Sequence, residues 1–265
     1  MYFGAWMYFG EQEDFFSSQG RLIGLCMLFK RSITFIYSEV YVSIGDCMPV
    51  TQDNITRHKK NRQWGIHGTY ISRGNEKMGY IPSFSTLPIR TCACDVPCKK
   101  DCYAVKLAKI RPTVRATWEA NTDAVIDGRY DDIYADICAY LDAHPMTAAF
   151  RWNVSGDIYG PEFLAMMIQL ARAYPTVAFM AFTKKYGLVP IDRDAVPDNL
   201  RLVLSAWKSY RPADVLAKQY PVAYFDDGSA ECGIPSDAFH CGGNCERCLK
   251  CFKMGPGSSV YFTKH

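Results

Sequence analysis

Nine cysteines packed into two short stretches constrain this chain more than any other feature. They are Cys92, Cys94, Cys98 and Cys102, then Cys232, Cys241, Cys245, Cys248 and Cys251; the other three of the twelve, Cys26, Cys47 and Cys138, stand alone. Thiols at this density either pair as disulfides or converge on metal. Disulfide frameworks belong to short secreted chains behind a signal peptide. This chain has 265 residues, enough to bury a core without staples. Its early apolar run, 22–29, has Glu11, Glu13 and Asp14 before it and Lys30 and Arg31 after it, without the basic lead and cleavage site of a signal peptide. The run is also far short of the ~20 residues that span a bilayer. The expectation is a cytoplasmic metalloprotein with two metal centres and no membrane segment. A net charge of +3 by itself selects neither nucleic acid nor membrane.

The first group reads Thr91-Cys-Ala-Cys-Asp-Val-Pro-Cys-Lys-Lys-Asp-Cys. Closely spaced thiolates in one loop can wrap a soft metal centre. Cys98 and Cys102 would share a face if a helical turn began there, and Lys99 and Lys100 would favour thiolate over thiol. Four ligands would close the site, as in structural zinc, whereas three on a four-iron cluster would leave one iron open. Whether Cys92 or Cys94 ligates is open at this point. In the second group, Cys245-x-x-Cys248-x-x-Cys251 follows Cys241 and the flexible Gly242-Gly243. That spacing resembles ferredoxins more than the paired Cys-x-x-Cys of zinc sites. Five cysteines compete for four places, so Cys232 or Cys241 is a bystander. His240 is the one histidine placed to join them.

Between the groups the pattern alternates. Helices are predicted over 103–110, 112–126, 131–143, 161–173 and 211–218, and strands over 148–154, 176–182, 200–204, 221–225 and 260–263. Strand and helix in turn indicate βα units, hence an α/β fold: a partial or complete β/α barrel with a cysteine-rich C-terminal lobe. Three successive strands end in polar residues: Ser155, Gly156 and Asp157, then Thr183 and Lys184, then Ser205. Barrel enzymes place their chemistry at such ends, so these residues are candidates for binding a cofactor. Asp157 could instead cap the following helix, and Lys184, Lys185 and Lys208 could form a solvated rim. The stretch 99–115 carries six basic residues against Asp101, suited to phosphate or to a solvated helix face. Residues 1–47, rich in Phe, Tyr and Met, differ from the rest; a strand pair within 21–43 or translation from near Met48 would each account for them. The expected organisation is this extension, a barrel-like domain over 48–228, and the lobe over 229–265.

The segments Cys98-x3-Cys102-Tyr-Ala, Phe150-Arg-Trp-Asn-Val-Ser-Gly-Asp, Phe182-Thr-Lys-Lys-Tyr, Asn199-Leu-Arg-Leu-Val-Leu-Ser and the closing Cys-x-x-Cys-x-x-Cys-Phe resemble the phage and plasmid gene-product-88 family over roughly 76–265. More distantly, the order of features is similar to radical S-adenosylmethionine enzymes. That likeness implies two four-iron clusters, with Cys92, Cys98 and Cys102 on the first and Cys94 outside. It also implies Ser155, Gly156 and Asp157 as counterpart of the motif that holds the methionine amine. The spacing Cys92-x5-Cys98-x3-Cys102 departs from the usual Cys-x3-Cys-x2-Cys. The implied partner is a small-molecule substrate or nucleic acid. The alternative from another class is a non-enzymatic nucleic-acid-binding protein stabilised by zinc or a cluster.

Overall fold

A computed structural model describes residues 63–75, 77–229 and 232–263. The segment with the suggested strand pair and start site, and Cys26 and Cys47 with it, lies outside them. In chain order the elements are β1 (Gln63–Trp64), β2 (Ile71–Arg73), β3 (Pro82–Phe84), α1 (Tyr103–Ile110), α2 (Pro112–Ile126), α3 (Tyr130–Ala143) and β4 (Ala149–Trp152). There follow α4 (Pro161–Ala173), β5 (Ala178–Thr183), β6 (Leu200–Ala206), α5 (Asp214–Gln219), β7 (Val222–Asp226), β8 (Phe239–His240), α6 (Cys245–Cys248), α7 (Lys250–Lys253) and β9 (Ser259–Thr263).

Pro112 and Pro161 each open a helix at its first turn, where the missing N–H costs nothing. Asp131 and Asp132 lie in the first turn of α3, at the positive end of its dipole. All strands join one nine-stranded sheet in the order β1-β2-β3-β4-β5-β6-β7-β9-β8. β1, β2 and β3 pair antiparallel, and every pairing from β3 to β8 is parallel. The α/β class and the sequential βα winding agree with the sequence pattern. A complete barrel does not form among the described residues, because β1 and β8 stand at opposite ends of the strand order.

Side chains alternate between two covered faces, as a parallel sheet requires. Phe84, Phe150, Trp152, Phe179, Leu202 and Leu204 meet Ile133, Ile137, Phe163, Met167 and Leu170 of α3 and α4. Trp152 stands edge-on to Phe150 and Phe163, with ring centroids 5.2 and 5.7 Å away, a geometry that contributes beyond its buried area. On the other face Ala149, Met180, Val203, Ala223 and Val260 meet Phe252 of α7. The cysteine-rich segment is therefore the sheet's second layer. Buried Asp136 of α3 anchors the β1–β2 loop: it accepts hydrogen bonds from the Ile66 and His67 amides at 2.7 and 3.0 Å and from Thr69 Oγ1 at 2.5 Å.

Candidate metal centres

Cys92, Cys94, Cys98 and Cys102 lie in the loop between β3 and α1, at the C-terminal end of the parallel strands. The helical turn expected from Cys98 to Cys102 is not continuous. A short 3-10 turn, Pro97–Lys99, holds Cys98, and Cys102 then adopts an extended conformation (φ −61°, ψ 111°) as the cap of α1. Ile89, at φ 72°, aims its N–H at Cys92 Sγ over 3.4 Å. Cys94 is exposed, while Cys92, Cys98 and Cys102 are half-buried. Burial pushes the Cys92 and Cys98 thiols up, Lys184 opposes this, and Cys92 couples to Cys98 and Cys98 to Cys102. The lysine acting on these thiols is thus Lys184. Lys99, in the loop itself, instead binds the Cys94 carbonyl.

The loop after β4 meets this cysteine loop. Asp157 is 1% exposed and does not cap α4, whose cap is Gly160. Its carboxylate accepts the Ile158 and Lys184 amides at 2.8 and 2.9 Å and faces Lys184 Nζ at 4.0 Å. Burial works against the charge of Lys184, but Asp157 and the Cys98 and Cys92 thiols outweigh it, and its pKa is raised. Lys184 therefore belongs to the site and not to a solvated rim. Thr91 Oγ1 accepts the Asp157 amide at 3.2 Å and pairs with Thr86 Oγ1 at 2.8 Å, and the Thr86 amide reaches the Ser155 carbonyl at 3.1 Å. Gly156, at φ +84°, brings its backbone so close that a Cβ would lie 1.9 Å from Thr86 Oγ1. Gly156→Ala should destabilise the fold by ~1–3 kcal/mol, measured as a lowered midpoint in chemical denaturation.

Of the other candidates, Ser155 is buried with its hydroxyl unpaired, Thr183 Oγ1 accepts the Lys185 amide at 3.1 Å, and Ser205 is buried on the neighbouring strand. Sequence reasoning missed Asn153. It is 4% exposed, has φ 51°, and leaves both polar atoms of its amide without a partner. A non-glycine residue in that backbone region with unused hydrogen-bonding capacity marks a place built for something other than packing. No signal in the sequence distinguishes it from an ordinary turn asparagine.

The second group is arranged differently. Cys241, Cys245, Cys248 and Cys251 line a cavity of about 280 Å³ together with Arg151 and Phe182. Burial raises Cys245, and it pushes Cys251 up to about 12, with Cys241 and Cys245 adding to the effect. Asn244 caps α6 through the Arg247 amide at 3.2 Å, and the Cys245 amide binds the Lys77 carbonyl at 2.8 Å. Glu246 accepts the Tyr80 amide at 3.2 Å, tying the lobe to the β2–β3 turn. Cys232 does not line this cavity. It sits beyond β7, where its thiol meets Asp227 Oδ1 at 2.7 Å and Ser229 Oγ at 3.4 Å. His240 is also outside, stacked on Tyr261. Among the described residues, Asp226, Asp227 and Cys232 form the one trio of possible ligand atoms within 4.8 Å of each other; no three thiols of either cysteine group come that close. Among the same residues, no helix is long and apolar enough to cross a membrane.

Comparison with known proteins agrees with the likeness seen in the motifs. Gene 88 protein of Mycobacterium phage L5 is 29% identical over 116 residues, 41% of this chain and 48% of that protein, so the match spans about half of the relative's length. No solved structure matches the chain. The family model described as Gene product 88 matches residues 50–253, a span that includes both cysteine groups and every strand except β9. The chain belongs to the gene product 88 family.

Proposed function

We propose that this chain is an iron–sulfur protein with two centres, one held by Cys92, Cys98 and Cys102 and one by Cys241, Cys245, Cys248 and Cys251, and that it works as a radical S-adenosylmethionine-like enzyme. The supporting observation is the separation of the thiols. A zinc ion with four Zn–S bonds of ~2.3 Å draws its sulfurs to within ~4 Å of each other, closer than any three thiols here approach. Sulfurs spread around a cavity of about 280 Å³ suit a multi-iron cluster, whose thiolates sit at separate corners.

The first site supplies the remaining parts. Bound by Cys92, Cys98 and Cys102, a cluster with one iron free of cysteine would supply one-electron chemistry toward a sulfonium beside it. The residues that would hold such a ligand are at hand: the Ser155 hydroxyl and Asn153 amide have unused hydrogen bonds. The buried Asp157 carboxylate would attract an ammonium group, and Lys184, which faces that carboxylate, would offset the thiolates. Anaerobically purified protein should be brown, carry ~eight iron atoms, bleach with dithionite, and release 5′-deoxyadenosine from S-adenosylmethionine. A colourless protein holding zinc and no iron would overturn the reading.

A second reading rests on the exposed side chains of Lys100, Lys106, Lys109 and Arg111, at and around α1. These would suit phosphates, and in that case the metal centres serve a nucleic-acid-binding protein. Affinity for single- or double-stranded DNA that falls steeply with salt, in zinc-loaded protein, would favour it.

A further inference from the structure

We infer that Arg151 is the built-in counter-charge of the second cysteine centre and holds its reduction potential up. The inference rests on the two-centre reading above and assigns to that centre a residue outside the cysteine motif. Arg151 lies in the middle of β4, where alternation turns it away from the helices and onto the face covered by the lobe. Its neighbours in the strand, Phe150 and Trp152, point into the helix-side core, whereas Arg151 lines the cavity with Cys241, Cys245, Cys248 and Cys251.

Among the described residues nothing neutralises it. Among the described residues no carboxylate lies within 4.0 Å of its guanidinium, and its buried Nε has no hydrogen-bond partner. Its guanidinium carbon lies 5.2 Å from the centroid of the Phe182 ring. A cation withdrawn from water without an anion is costly. Its charge also reaches the thiols: at Cys245 and Cys251 burial is the largest influence, and Arg151 opposes it. Four thiolates around a cluster leave the whole centre anionic, and one more electron makes it more so. A fixed guanidinium beside it favours the reduced state, since net charge is one of the levers that set such potentials. Arginine suits the place better than lysine, being weakly hydrated and able to stack on Phe182. Arg247 and Lys250 also line the cavity, but both are exposed, and solvent and salt screen them.

The test is a redox titration of the full chain, followed by electron paramagnetic resonance, with dithionite as donor of the single electron. No bond forms or breaks in that step. A Cys92→Ala, Cys98→Ala background leaves the second centre as the one observed. Arg151→Met should keep its iron and titrate at least 59 mV lower, a tenfold change in the one-electron equilibrium constant, with Arg151→Lys between the two. If Arg151→Met instead loses the cluster while Arg151→Lys keeps it, the counter-charge is again supported. An unchanged potential at full iron content would overturn the inference, as would equal loss of the cluster from both variants. Failure of the underlying reading shows separately, as zinc and no redox signal in the protein with Arg151 intact.

Discussion

The double variant Cys245→Ser, Cys251→Ser is expected to lose about half of the bound iron, ~four of ~eight atoms, and to lose the order of its lobe with it. Helices α6 and α7 are four residues each, well below the length at which a helix holds by itself. Phe252 is the one buried side chain in them. Between them Leu249 takes a left-handed conformation at φ 50°, which costs free energy that its side chain, only partly buried on the lobe-side core, offsets in part. If the proposed second centre is held there, such a segment would draw much of its stability from it, as small metal-bound domains do. Hydrogen exchange over 239–254 should therefore rise sharply in the variant, while α3, α4 and β4–β6 keep their protection. Uniform exchange across both regions, or iron content unchanged, would count against this arrangement.

Asp157→Ala is expected to cost ~3–5 kcal/mol of stability, because it strands a largely buried lysine without its counter-charge. It also leaves the Ile158 and Lys184 amides without the acceptor they now share. Asp157→Asn strands Lys184 in the same way but keeps one oxygen, so one of the two amides, which bind different carboxylate oxygens, retains an acceptor; its cost in denaturant unfolding should be smaller by about 1 kcal/mol. Equal losses would mean that the charge facing Lys184, and not the hydrogen bonding, is what the carboxylate provides. Iron content of the first centre should fall in both variants, since Lys184 released from Asp157 would no longer be held beside Cys92 and Cys98.

The βα succession was legible because periodicity survives wherever a helix or strand packs on a single core, and the predicted helices 103–110, 112–126 and 161–173 coincide with α1, α2 and α4. Barrel closure was not legible. Periodicity reports which side chains of a strand face inward, and it is the same for a closed sheet and for an open one covered on both faces. The strands β1, β2 and β8, two or three residues each, are too short to show a pattern. At the site, the cysteine spacing identified the two groups, and the polar strand ends pointed to Asp157 and Lys184. Spacing could not give the pairing of those two residues 27 positions apart. It also pointed to the wrong lysines, because Lys99 and Lys100 are near Cys98 in sequence while Lys184 is near it in space. Arg151 did carry a signal: a charge in the middle of the apolar run Ala-Ala-Phe-Arg-Trp is improbable in a strand whose second face meets only hydrocarbon.

The position of β9 sets a timetable for maturation. It lies between β7 and β8, and the Cys241 amide binds the Tyr261 carbonyl at 3.0 Å, so the strand that follows the lobe in sequence is also one wall against which the lobe is held. All four cavity cysteines leave the ribosome before that wall exists. Until residues 259–263 slide into place, the segment carrying them can rest on β4, β5 and β6 through Phe252 but lacks the strand to which Cys241 is fastened. Once β9 is seated, the same segment is a loop fastened at both ends to neighbouring strands. Seating of β9 and fastening of the cysteine-bearing segment are in this sense one event, and it follows the synthesis of residues 259–263.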